Sequence, residues 1–315
     1  MSRRRLVRAA LALLALAAAG AGAQKPAATR LWLNPVTSLF EHLDAGLFGP
    51  VSGVFYDRRR DEIWVADRQR NLLAVFTRDG MPLHTAVPGE PIQAPSRLVV
   101  DREGNVLLLD QDRSRVARLD WRGRYVGPLE LQGLPAEPVI TALALDDDDN
   151  LYVGESSEGE VLVYGPERRL RFRFGGRGTG PGQFESIAAI AADARRIVVT
   201  DALATPVQVF DRRGGYLRGF GGHAIGVTNF SLPAGVALDA RGRIVVLDSI
   251  RQEIKVFEES GRYLDRFGGG GPGPGSVYYP ETVVSDGRDR LYVAERGNAR
   301  VQVFEVLDIP VEARE

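Results

Sequence analysis

Between Tyr279 and Phe304 the chain alternates three short apolar runs, Thr282–Ser285, Arg290–Ala294 and Arg300–Phe304, with two polar clusters, Asp286-Gly287-Arg288-Asp289 and Glu295-Arg296-Gly297-Asn298. Runs this short, built on Val, Tyr and Phe and separated by Gly, Asp and Asn, predict antiparallel hairpins. The same alternation occurs five more times upstream. An acidic residue closes the second run of each copy, at Asp67, Asp110, Glu155, Asp201, Asp248 and Glu295, with spacings of 43, 45, 46, 47 and 47 residues. The residue closing the first run keeps the same register, at Asp57, Asp101, Asp146, Asp193, Asp239 and Asp286, and the third runs end at Phe76, Leu119, Tyr164, Phe210, Phe257 and Phe304. A fourth run follows in most copies: Met81–Val87, Arg124–Leu131, Leu170–Phe174, Tyr216–Phe220 and Tyr263–Phe267.

A period near 45 residues with four strands per copy predicts propeller blades, not the two-helix units of a solenoid. The expected fold is all-β: a six-bladed β-propeller of four-stranded antiparallel blades over residues 49–309. The sixth copy lacks a fourth run of its own, because Glu305–Glu315 carries Asp308-Ile309-Pro310 and a charged tail at 310–315. The lone run Thr29–Leu33, which Pro35 is expected to end, can fill that place from a segment, 24–48, that serves as closing strand and linker. Val36–Phe48 gives no clear assignment. Closure matters because an open ring would leave an unpaired strand edge.

The motif Pro233-x-Gly235-Val236-Ala237-x-Asp239 with Ile244-Val245-Val246-x-Asp248 resembles the NHL-repeat family of β-propellers. So does Leu291-Tyr292-Val293-Ala294-Glu295 with Asn298-Ala299-Arg300-Val301-Gln302-Val303-Phe304, and the stretch Phe174–Phe184 (FGGRGTGPGQF) is similar to that family's inter-blade linker. The resemblance covers residues from about 30 to 309. It implies the propeller fold. It leaves function open among protein-binding, RNA-binding and, occasionally, enzymatic modules.

The N-terminus has a pattern of its own. Arg3, Arg4, Arg5 and Arg8 precede the apolar run Ala9–Ala19, and Ala21-Gly22-Ala23 supplies a small-residue cleavage pattern before Gln24. Residues 1–23 therefore read as a cleaved signal peptide, and the run is shorter than the roughly 20 residues a membrane anchor needs. The expected product is a periplasmic or extracellular monomer with no integral membrane segment. The arginine cluster fits general secretion and loosely resembles a twin-arginine signal. No cysteine occurs, so disulfides and thiolate metal sites are excluded. A net charge of −1 gives no reason to expect a nucleic-acid partner.

The repeated acids follow strands and enter turns, where Asp caps its own backbone N–H groups. Nearby Arg70, Arg115, Lys255 and Arg300 are expected to pair with these acids in solvated turn networks. The run Asp146-Asp147-Asp148-Asp149-Asn150 lies in a hairpin turn without the spacing of a calcium loop. The glycine-rich stretch Gly268–Gly275 lacks a phosphate-loop ending and reads as a blade linker.

Aligning the first runs on their closing acid places Ser52, Ser96, Thr141, Ala188, Ala234 and Glu281 around one level of the central channel, with Gly53, Arg97, Ala142, Ala189, Gly235 and Thr282 beside it. Propeller lactonases of the gluconolactonase type hold calcium there with several carboxylates and an Asn, and amidating lyases use a His-bound zinc; this level offers one carboxylate. His42, His84 and His223 fall in linker or outer positions, and no catalytic triad is evident. Candidate binding residues are Arg97, Glu281, Ser52, Ser96 and Thr141, the first two expected to form a mutual ion pair. No catalytic residues and no cofactor are assigned. The reading is a non-catalytic module binding a protein or a small envelope ligand. The alternative is a metal-dependent hydrolase or lyase holding calcium through Glu281 and backbone oxygens.

Overall fold

The computed structural model describes residues 29–310, and among them every regular element is a strand. The signal-peptide segment 1–23 and the tail beyond Pro310 lie outside the described residues. By compactness the described residues form a small unit at the two ends, 29–32 with 308–310, and a main unit, Leu33–Leu307.

Strand β1 (Thr29–Leu39) is followed by a small hairpin, β2 (Glu41–His42) with β3 (Gly46–Leu47). Blade 1 comprises β4 (Val51–Asp57), β5 (Glu62–Asp67), β6 (Leu72–Thr77) and β7 (Pro82–Ala86), and blade 2 comprises β8 (Arg97–Val100), β9 (Val106–Leu109), β10 (Ala117–Leu119) and β11 (Tyr125–Pro128). Blade 3 is β12 (Ile140–Leu145), β13 (Leu151–Glu155), β14 (Glu160–Tyr164) and β15 (Leu170–Gly175); blade 4 is β16 (Ile187–Ala192), β17 (Arg196–Asp201), β18 (Val207–Asp211) and β19 (Tyr216–Phe220). Blade 5 is β20 (Pro233–Leu238), β21 (Ile244–Asp248), β22 (Glu253–Phe257) and β23 (Tyr263–Gly268). Blade 6 contains β24 (Pro280–Ser285), β25 (Arg290–Glu295) and β26 (Arg300–Pro310), with β1 as its outermost strand. The protein is a six-bladed β-propeller, and residues Leu33–Leu39 complete the last blade of the main unit.

Two boundaries differ from expectation. Pro35 does not end β1, which continues to Leu39. An outermost strand needs no N–H on its open side, so proline is tolerated there. The segment left unassigned by sequence is the end of that strand and the β2–β3 hairpin.

The core lies between blades. Second strands such as Ile63-Trp64-Val65-Ala66 and Val106–Leu109 are apolar without alternation because both of their faces are covered by neighbouring sheets. Val54, Tyr56, Ile63 and Val65 of blade 1 pack on Tyr292, Ala294, Val301 and Val303 of blade 6, where Tyr56 stacks on Tyr292 at 5.2 Å. Trp64, Ala66, Leu73 and Val75 pack in the opposite direction on Leu98, Val106 and Leu108 of blade 2. At about 1.5–3 kcal/mol per fully buried large side chain, these layers dominate the stability of the ring.

The repeated acids act in two ways. Each acid after a first strand accepts N–H bonds from its own turn: Arg59 and Arg60 donate to Asp57 (2.9 and 3.3 Å), Asp148 and Asn150 to Asp146 (3.0 and 2.9 Å), and Arg288 and Arg290 to Asp286 (2.8 and 3.0 Å). Each acid after a second strand also reaches back to the linker entering its blade. Gly49 N–H donates to Asp67 (2.8 Å), Val139 to Glu155 (2.8 Å), Ser186 to Asp201 (2.8 Å), Ser231 to Asp248 (2.8 Å) and Tyr278 to Glu295 (3.0 Å).

Candidate functional site

The starts of the first strands pair with the ends of the second strands, as in Ile140 with Glu155 and Ile187 with Asp201. The linkers and the turns between second and third strands therefore share one face, called upper here. The turns between first and second strands share the opposite, lower face. First strands from all six blades line a central cavity of about 470 Å³, whose middle is formed by Val54, Leu143, Ile190, Val236, Leu238 and Val283.

Its lower end is charged. Arg58 and Arg59 extend from blade 1 to blade 3, where Arg58 Nη1 donates to Asp147 (3.0 Å) and Arg59 Nη2 to the Asp147 carbonyl (3.0 Å). Arg168 pairs with Asp149 (3.0 Å) and Arg212 with Asp146 (2.8 Å) and Asp148 (3.5 Å). The acidic run Asp146–Asp149 is thus engaged residue by residue with arginines in and around its turn.

Toward the upper end stands Arg97, the first residue of β8. Its Nη1 donates to the Ser52 carbonyl (2.9 Å) and the Thr282 hydroxyl (2.6 Å), and that hydroxyl donates to the same carbonyl (2.7 Å). Gly53 permits this junction. A Cβ there would fall well inside contact distance of the Ser96 carbonyl oxygen. The expected Arg97–Glu281 ion pair does not form: Glu281 Oε1 lies 3.2 Å from Arg296 Nε, on the neighbouring turn of its own blade. The alignment placed both residues near one mouth but could not reveal that Arg296 competes for the carboxylate. Burial lowers the pKa of Arg97, with Glu281 opposing the shift and Arg113 adding to it. Among the described residues neither Arg97 nor Arg113 has an acid within ion-pair distance.

The three hydroxyl candidates turn to other work. Ser52 Oγ donates to the Pro95 carbonyl (2.9 Å), Ser96 Oγ donates to the Leu109 carbonyl (3.1 Å), and Thr141 Oγ1 and Ser156 Oγ share a bond (2.9 Å). Thr282, which sequence reasoning placed beside Glu281 without singling it out, lines the cavity together with Arg97 and Glu281. The histidines are spread apart. His42 bonds Asp67 (3.0 Å), His84 sits edge-on to Trp64, and His223 bonds the Ala204 carbonyl (2.9 Å). Among the described residues no three His, Asp or Glu side chains are grouped to hold a metal ion.

Lys255 and Arg300 are not part of a solvated network. Lys255 is 0% exposed and Arg300 8%. Lys255 Nζ donates to the Asn229 carbonyl, lies 3.5 Å from both Asp248 and Glu253, and sits 4.6 Å above the Phe230 ring. In the next blades the equivalent place is taken by glutamines: Gln208 bonds the Gln183 carbonyl (2.8 Å) and the Gly182 N–H (2.8 Å), and Gln302 bonds the Ser276 carbonyl (2.8 Å) and the Gly275 N–H (2.7 Å). These three side chains fasten the glycine-rich linkers. The repeat register could have shown it, because all three fall at one position of the third strand.

The NHL repeat family model matches residues 277–304. No curated protein matches the chain by sequence. Among solved structures, the chain is similar to virginiamycin B lyase from Staphylococcus aureus (13% identity, TM-score 0.57, covering 91% of this chain and 90% of that one). It is also similar to a putative gluconolactonase (15%, TM-score 0.60, 89% and 96%) and to a protein of unknown function from Bacteroides thetaiotaomicron (15%, TM-score 0.61, 89% and 76%). At these identities the likeness is one of fold.

Proposed function

We propose that this NHL-type β-propeller is an exported, non-catalytic binding module of the cell envelope that receives its ligand at the upper mouth of the central cavity. The observation that carries the reading is the contrast between the two ends. At the lower end arginines and acids pair at contact distance, whereas at the upper end no acid among the described residues lies within ion-pair distance of Arg97 or Arg113, Glu281 acting on Arg97 only from farther away. Around the same face Leu203, Ile225, Val227 and Ile250 are exposed on linkers and turns, and exposed apolar groups gathered on one face mark contact surfaces. The lyase and lactonase names of the structural neighbours suggest a second reading, a metal-dependent enzyme at Glu281. No observation here favours it over binding, since the Glu281 carboxylate is engaged by Arg296.

Export rests on the pattern of residues 1–23. The protein recovered from the periplasm is expected to begin at Gln24; a retained leader would remove that part of the proposal. Binding is tested by incubating the mature protein with envelope extract and recording native mass spectra. A retained species supports the module. Turnover of lactone or ester substrates that requires a divalent metal, with nothing retained, would favour the enzyme.

A further inference from the structure

The geometry points to a small monocarboxylate with an apolar body as the class of ligand held in the central cavity, its carboxylate on Arg97. This rests on the binding reading above and narrows it. A guanidinium carries five N–H donors. The two on Arg97 Nη1 are spent on the Ser52 carbonyl and the Thr282 hydroxyl, while Nε and Nη2 make no hydrogen bond among the described residues. Those two nitrogens form the edge that takes a carboxylate side-on through two parallel bonds. The edge is not sealed away, in contrast to the buried and unpaired Nη1 of Arg196.

Charge supports the same assignment. Glu281 is held by Arg296 at 3.2 Å and acts on Arg97 only from beyond ion-pair distance, while the Arg113 cation opposes it. A buried cation with no acid at ion-pair distance is costly, and a bound anion relieves that cost. The part of the ligand next to the carboxylate is expected to be apolar, because Leu143, Ile190, Val236 and Val283 line the cavity between Arg97 and its charged lower end. A cavity of about 470 Å³ suits one small molecule. Arg97 is itself fixed by β4 and β24, so little ordering is needed on binding.

Octanoate, methyl octanoate and octylamine share one apolar chain and differ in head group, so calorimetric titration of the wild-type mature protein separates the terms. Octanoate is expected to bind roughly tenfold or more tighter than the methyl ester, the scale of a charge-assisted fork, and octylamine weakest of the three. Arg97→Met should erase the preference for octanoate while leaving the ester's affinity within about twofold. If that variant fails to fold, the three-probe comparison on the unmodified protein still decides. Equal affinities for acid and ester, no binding of octanoate, or full octanoate affinity in folded Arg97→Met would each overturn the inference. The binding-module reading has its own test: a neutral species retained from extract would leave that reading standing while this inference fell.

Discussion

Replacing Lys255 with methionine keeps the four-atom stem and removes the ammonium. The Asn229 carbonyl then loses its donor, and Asp248 and Glu253, each 3.5 Å from Nζ, lose a shared cation in a fully buried place. Removing one partner of a buried ion pair costs about 3–5 kcal/mol. The lower end applies, because Arg251 remains 3.6 Å from Asp248 and Arg266 remains 2.6 Å from Glu253. A loss of about 3 kcal/mol should lower Tm by roughly 5–10 °C in a chain of this size. Lys255→Gln also removes the cation but installs the residue found at the same position in blades 4 and 6, which can again donate to the Asn229 carbonyl, so it should recover about 1 kcal/mol of the methionine loss. Thermal and urea unfolding followed by tryptophan fluorescence measure both variants. Methionine and glutamine variants of equal stability would refute the linker-fastening role, and a methionine variant as stable as the wild type would refute the burial argument.

Asp201 accepts from four N–H groups, those of Glu185, Ser186, Leu203 and Ala204, at 2.7–3.0 Å. Asp201→Ala should cost about 3 kcal/mol or more and speed hydrogen exchange at Ser186 and Ala204; unchanged exchange there would count against the staple. Gly53→Ala should sharply reduce the soluble folded yield, since the added methyl meets the Ser96 carbonyl, and a normal melting curve would contradict that close approach. For the pH dependence, burial alone would raise Asp67, but bonds from His42 and from the Arg70 and Gly49 N–H groups outweigh it and hold the carboxyl low. Glu155 is likewise held low, burial being outweighed by the Ser157 hydroxyl and by N–H groups of Val139, Glu158 and Ser157. Their contribution is full above the unfolded carboxyl pKa of about 4 and disappears as pH falls through the lower folded values. Tm should thus hold down to about pH 5 and then drop; a rise in Tm below pH 4 would reverse the assigned sign.

The blade count and strand order were legible because three chemically distinct positions repeat in one register, and because each second strand is apolar on both faces. Strand limits at the outer edge were less so: β1 carries Pro35 in mid-strand, a residue read as a stop because sequence does not tell which side of a strand lies open. Placing Arg97 beside the channel needed only the alignment. Its partners could not be read the same way, since Arg97 lies 185 residues from Thr282 and Glu281 had a nearer cation in Arg296. Lys255 was misjudged for a related reason. A cation between two acids looks like a surface turn until the neighbouring linker is seen to cover it.

The bridges on the lower face run from blade to blade: Arg78 to Asp286, Arg102 to Asp149, Arg168 to Asp101, Arg212 to Asp146. Opposite charges separated by a few ångströms cancel beyond a Debye length of about 8 Å at physiological salt. So this arginine-rich surface casts almost no field into solution. A phosphate polymer or an anionic bilayer drifting past would feel no pull toward it, and counterions would gain nothing by leaving.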